Sequence, residues 1–267
     1  MLNRRPHPSL APFVSRVWTA SPAGGSAEGG WERLLPGPEM HLALRLGGPP
    51  FRFSERSEDR AGETFGHAVA AGPRTRGYVK SLSRAGASVG ALLKPGAGQL
   101  LFGVPNAALA NRHVSLEFVW GRAATEHALE HLCGANSDEA RLTTLETVLL
   151  ARLPLAPVLH PVVAYGLREL PRRRRVADVV ERTGYCHRRF IALFDRQVGL
   201  SPKQYARICR FRQASDLLDR DMASSALAAL AGYSDQAHFQ REFRAMAGIT
   251  PGVYRKSVVK RPGHLAA

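Results

Sequence analysis

The stretch that decides the fold is Gly232-Tyr233-Ser234-Asp235-Gln236-Ala237-His238-Phe239-Gln240-Arg241-Glu242-Phe243, followed by Gly248-Ile249-Thr250-Pro251 and Tyr254-Arg255. Phe239 and Phe243, four apart, put two rings on one helix face. Gly248 suits a left-handed helix stop, and Thr250-Pro251 supplies an N-cap with proline at the first position of a new helix. The same grammar stands upstream as Gly184-Tyr185, Phe190, Phe194, Gly199, Ser201-Pro202 and Tyr205. From the first ring to the closing Tyr the two spacings are identical, and the second copy carries its one extra residue in the turn after Gly-Tyr, where a turn tolerates it. This predicts two copies of one helix-turn-helix unit. Val179 and Val180 fall on the first helix of one copy, and Leu227, Ala228 and Ala231 on that of the other. Such a unit offers its second helix to the major groove of DNA.

Charge points the same way. Residues 171–267 hold 19 Lys and Arg against 8 Asp and Glu, whereas the first 170 hold 18 against 14. The basic excess therefore belongs to the repeat. Lys and Arg on phosphate release counterions and give affinity without reading sequence. An acidic membrane surface is the competing partner, but the basic residues come with helix-turn-helix spacing rather than an exposed apolar face.

Across roughly residues 159–257 the chain resembles the AraC/XylS-type DNA-binding domain, in which a long helix joins two helix-turn-helix units. Arg210-Phe211-Arg212-Gln213-Ala214, with Leu217 and Leu218, resembles that joining helix, and positions 205, 208, 211, 214 and 218 form one apolar stripe at helical spacing. The resemblance implies that Gln236, Ala237, Gln240 and Arg241 face the groove; Gln suits adenine and Arg suits guanine by bidentate geometry. In the first unit His187, Arg188 and Arg189 open the equivalent helix, with Arg189 either reading a base or clamping the backbone. That unit departs from the family twice: Cys186 replaces the usual capping Ser, and Ala192 stands where many relatives carry a polar residue. For Gln236, Ala237, Gln240 and Arg241 a solvated helix face is the alternative reading.

At 267 residues and 45% hydrophobic content the chain has room for two cores. Its fold class is expected to be α+β: a β-rich, cupin-like N-terminal domain with appended helices, then an all-α domain. Before about residue 118, short apolar or alternating runs (41–46, 77–82, 88–93) lie between turn signals such as Gly47-Gly48-Pro49-Pro50 and Pro95-Gly96. Helices are expected over 119–133, 137–153 and 160–170, and Arg172 to Arg175 mark the junction, as a solvated basic linker or a phosphate contact. The expected division is an N-terminal domain over 1–153, a linker over 154–158, a DNA-binding domain over 159–257 able to fold alone, and a basic tail over 258–267.

The N-terminal part resembles a poorly characterised sensor-like domain that precedes AraC-type units in other bacterial regulators. The matching residues are Trp31-Glu32-Arg33-Leu34-Leu35-Pro36, Leu92-Leu93-Lys94-Pro95-Gly96-Ala97 with Gly103-Val104-Pro105, and Asn111 with Val114-Ser115-Leu116. The implied role is sensing a signal or self-association. The His-x-His start of an enzymatic cupin metal site does not occur in the sequence.

One enzyme-like motif competes. His127-Ala128-Leu129-Glu130-His131 matches H-x-x-E-H, in which two His bind zinc and the Glu acts as general base. Leu129, Leu132, Trp120 and Ala128 instead suit an ordinary amphipathic helix, and Gly-x-Gly-x-x-Gly does not occur. Cys133, Cys186 and Cys209 show no disulfide framework, which fits a reducing cytoplasm. Pro8, Pro12 and Arg16 interrupt any signal-peptide core, and the apolar region over 142–167 is broken by Glu146, Arg152 and three prolines.

The expectation is thus a bacterial, cytoplasmic, AraC-type transcription regulator and not an enzyme, without cofactor or metal and without a membrane partner. Its partner is double-stranded DNA. RNA polymerase, a small-molecule effector and a second copy of the chain are further candidates, and the rival readings are a sequence-indifferent DNA binder and a zinc hydrolase.

Overall fold

The computed structural model describes residues 2–20, 30–55, 59, 61–82, 86–218 and 222–256, and the backbone of 264–266. Alternation of apolar side chains builds the N-terminal strands: Met40, Leu42 and Leu44 of one strand point inward against Val89, Ala91 and Leu93 of its neighbour, all fully buried. The strands are β1 (Leu2–Arg4), β2 (Val14–Ala20), β3 (Trp31–Leu34), β4 (Met40–Leu46), β5 (Arg52–Ser54), β6 (Glu63–Thr64), β7 (Ala68–Ala71), β8 (Tyr78–Ser81) and β9 (Ala87–Leu93). Two short helices, α1 (Gly98–Phe102) and α2 (Asn106–Leu109), precede β10 (His113–Ser115). The strands form two antiparallel sheets. One runs β1-β2-β9-β4-β7-β10; in the other, β3-β8-β5-β6 is extended beyond β3 by the last strand of the chain, β11 (His264–Ala266). The rest of the expected basic tail lies outside the described residues.

Three helices close the core of the larger sheet: α3 (Leu116–Trp120), α4 (Arg122–Gly134) and α5 (Asp138–Arg152). The single helix expected over 119–133 is broken at Gly121, whose φ of 80° lies outside the helical region. The buried Trp120 beside it donates from Nε1 to the Leu101 carbonyl at 2.9 Å. Ser137 caps α5 by accepting from the Ala140 N–H. The carboxylate of Glu146, buried on α5, takes two hydrogen bonds from Arg4 and one from the His7 N–H, tying the chain start to the helical layer.

The second core is all-helical: α6 (Pro161–Glu169), α7 (Val176–Thr183), α8 (His187–Val198), α9 (Pro202–Leu217), α10 (Ser224–Ala231), α11 (Gln236–Ala247) and α12 (Pro251–Lys256). Gly184, Gly199, Gly232 and Gly248 each close a helix in the left-handed region, with φ between 69° and 78°. Ser201 and Gln204 form a reciprocal capping box on α9. Phe190, Phe194, Phe211, Phe239 and Phe243 are all fully buried, with Phe211 and Phe243 5.0 Å apart between ring centres. Both sheets and helices are therefore present in the division expected of an α+β chain.

Candidate nucleic-acid interface

Burial of the rings sets which way the rest of each helix faces. On α11, Phe239, Phe243, Met246 and Ala247 go into the core, which leaves Gln236, Ala237, Gln240 and Arg241 exposed on the opposite side. None of their side chains makes a hydrogen bond or ion pair among the described residues, so their donors and acceptors are available to an external partner. Arg244, also exposed, continues the same stripe one turn beyond Gln240. Sequence reasoning passed over it, although its spacing of three from Arg241 was the available signal.

The start of α11 is pinned. Asp235 accepts from the His238 N–H at 2.7 Å and from the Ser234 hydroxyl at 2.9 Å, and those bonds hold its carboxyl below the usual carboxylate range. Behind the exposed face, Glu242 takes a bidentate pair of hydrogen bonds from Arg207 of α9, at 2.7 and 2.8 Å, with Arg210 3.8 Å away. Those contacts fix α11 against the joining helix.

On α8, His187, Arg188, Arg189 and Ala192 are exposed while Phe190, Phe194 and Val198 are buried. Cys186 occupies the N-cap position without a side-chain capping bond. Arg189 lies over the Tyr185 ring, 4.7 Å from its centre, which narrows where its guanidinium can reach. Exposed Ala192 thus leaves the polar groups named on α8 at the start of that helix, as its sequence implies.

The Arg172 to Arg175 run has internal work to do. Arg172 and Arg174 lie 3.2 and 3.7 Å from Glu169, and Arg173 donates to the Leu230 carbonyl of α10. The Arg173 contact ties the segment before α7 to α10, while the Glu169 pairs are local to the run.

The N-terminal domain reaches the far end of both exposed helices. Helix C-termini leave carbonyls without partners inside the helix. At α11 the Gly77 N–H donates to the Met246 carbonyl at 2.8 Å and Arg33 donates to the Ala247 carbonyl at 3.3 Å. At α8 the Asn106 side chain donates to the Gln197 carbonyl. Leu35, from the loop after β3, packs into the helical core itself. Within the same core, burial pushes the Cys209 thiol of α9 up to about 11.

His127 and His131 stand side by side on the exposed face of α4, their ring centres 4.2 Å apart, with Glu130 and Cys133 also exposed. Among the described residues no group of three or more His, Cys, Asp or Glu is placed to hold a metal ion.

Residues 168–257 match a family model described as a helix-turn-helix domain, and residues 3–115 match a domain of unknown function, DUF6597. The C-terminal segment is a helix-turn-helix domain of the AraC type. The chain is similar to the "Probable transcriptional regulator LumQ" of Photobacterium leiognathi, 32% identical over 92 residues, which is 34% of this chain and 37% of that protein. It is also similar to an "Uncharacterized HTH-type transcriptional regulator" of Haemophilus influenzae, 36% identical over 70 residues, 26% of this chain and 24% of that protein. The chain therefore spans about a third and a quarter of the lengths of these two relatives. Among solved structures, the DNA-binding domain of AdpA in complex with a target DNA is 28% identical, covering 36% of this chain and 86% of that one at a TM-score of 0.32. ToxT of Vibrio cholerae O395 is 10% identical, covering 92% of this chain and 97% of that one at a TM-score of 0.44. Among the described residues, no helix outside or inside the AraC-type domain is long and apolar enough to cross a membrane.

Proposed function

We propose that the protein is a sequence-specific, DNA-binding transcription regulator of bacteria, acting in the cytoplasm by occupying an operator. The observation that carries this reading is the pair of exposed second helices, α8 and α11, each anchored by buried rings and presenting unpartnered polar side chains within the basic domain. In this reading Gln236, Gln240 and Arg241 read base edges with Ala237 as an apolar contact, Arg188 and His187 serve the first half-site, and Arg189 holds phosphate. The N-terminal domain receives the signal, through a small-molecule effector or a second copy of the chain, and RNA polymerase is the downstream partner. No catalytic step is involved.

The test is titration of the full chain against its selected operator and against random duplexes at fixed salt. A regulator favours the operator by about a thousandfold or more. Arg241→Ala is expected to cost about 1 to 3 kcal/mol on the operator and much less on random DNA, whereas Arg189→Ala weakens both alike. Equal affinity of the unaltered chain for all duplexes would instead mark a sequence-indifferent DNA binder.

A further inference from the structure

Helix α4 is seated on the N-terminal core by Thr125, Ala128 and Leu132, which are buried. His127 and His131, each one position before a buried residue, therefore stand on the exposed face. Four residues apart, they are neighbours across one helical turn. Their ring centres lie 4.2 Å apart with 38° between planes. Neither ring takes part in a hydrogen bond or ion pair among the described residues.

A neutral imidazole offers one nitrogen lone pair, and two of them presented from one turn can close on a single ion. An ion held about 2.0 to 2.1 Å from each nitrogen needs the two nitrogens within about 3 Å of each other. Rings whose centres are 4.2 Å apart meet that demand by rotating exposed side-chain torsions alone. The surrounding charge favours a cation. Glu126 is engaged by Arg122 at 2.8 Å, while Glu130, three residues beyond His127 and also exposed, adds negative charge beside the pair. His131 lies in the last turn of α4, where the free carbonyls carry the negative end of the helix dipole. Imidazole suits Zn²⁺, Cu²⁺ and Ni²⁺, whereas Mg²⁺ and Ca²⁺ take oxygen ligands.

We propose that His127 and His131 together chelate one divalent transition-metal ion of the Zn²⁺ type, with water in the remaining positions. Catalytic zinc sites bring three protein ligands, so this pair binds the ion without forming a hydrolytic centre. The ion joins two successive turns of α4 and stabilises that helix in proportion to its binding. The site is separate from α8 and α11 and does not depend on the reading of those helices as DNA-binding.

The test uses the full-length protein without DNA and Zn²⁺ as the probe, with the ring nitrogens of His127 and His131 followed by long-range ¹H–¹⁵N NMR. Watching the rings themselves keeps binding at the pair apart from binding at the exposed Cys133 and Cys186 thiols. Both rings are expected to shift together along one saturating curve, and Mg²⁺ at the same concentration should move neither. His127→Ala and His131→Ala put a good helix former at an exposed position, so the fold is kept. In each variant the remaining ring is expected to need about tenfold more Zn²⁺ or higher, because the second bond of a chelate forms at high effective concentration. Rings that stay unmoved at millimolar Zn²⁺ overturn the proposal without any variant. So does a remaining ring that titrates as tightly in either variant as in the unaltered chain, or an equal response to Mg²⁺.

Discussion

At the scale of single residues, His113 and Gln240 illustrate two kinds of information. Gln240 was legible from spacing alone: a position one beyond a buried ring on an amphipathic helix points outward, and it does. His113 was not, because its partners Arg74 and Phe53 are separated from it in sequence and meet only through sheet register. Its environment has a measurable consequence. A His whose folded-state value lies below its usual one binds its proton more readily when unfolded, so the stability it supports is present above about pH 6.5 and is lost as pH falls below that value. The expected slope is at most about 1.4 kcal/mol per pH unit for one proton. Chemical denaturation between pH 7 and pH 5 checks it: His113→Gln should flatten the acid limb, and an unchanged limb would assign the loss to other groups.

At the scale of elements, the two helix-turn-helix copies fold alike but are capped unequally. Asp235 caps α11 with a side-chain bond, and Cys186 gives α8 none. Cys186→Ser is therefore expected to stabilise the protein by about 0.5 to 1 kcal/mol, read as a higher midpoint in urea with an unchanged slope. A lower midpoint would mean that the thiol packs in a way an oxygen does not match. These elements were legible because their signals are local: glycine stops, Ser-Pro starts and ring pairs within one or two turns. The break at Gly121 shows the limit. Nothing local separates a glycine inside a helix from one between two, and here the seating of Trp120 against the Leu101 carbonyl accompanies the break. The arginine run at 172–175 shows the same limit for charge, since only the fold reveals that Glu169 and the Leu230 carbonyl engage three of the four.

At the scale of the molecule, the sequence leads one to expect a boundary near residue 159, but not the contacts that run between the two sides of it. Leu35, which the resemblance assigns to the N-terminal domain, packs into the helical core. A fragment over 159–257 is expected to fold on its remaining core and to bind DNA with a steep salt dependence, about a thousandfold or more between 50 and 200 mM salt if six phosphates are neutralised. A fragment with flat salt dependence, or none of the helical signal of the full chain, would refute that. The intact chain should add a geometric demand. Gly77, Arg33 and Asn106 hold the trailing ends of α8 and α11, and the Arg207 pair ties α11 to α9, so in the proposed reading the two helices behave as the fixed jaws of a calliper. Fixed jaws measure phase as well as sequence. Inserting five base pairs between the half-sites turns the second to the opposite side of the duplex, about half a revolution at 10 to 10.5 base pairs per turn. Affinity in a gel-shift titration should then fall to that of a lone half-site. Ten inserted base pairs should not restore it, because they bring back the angle but not the distance.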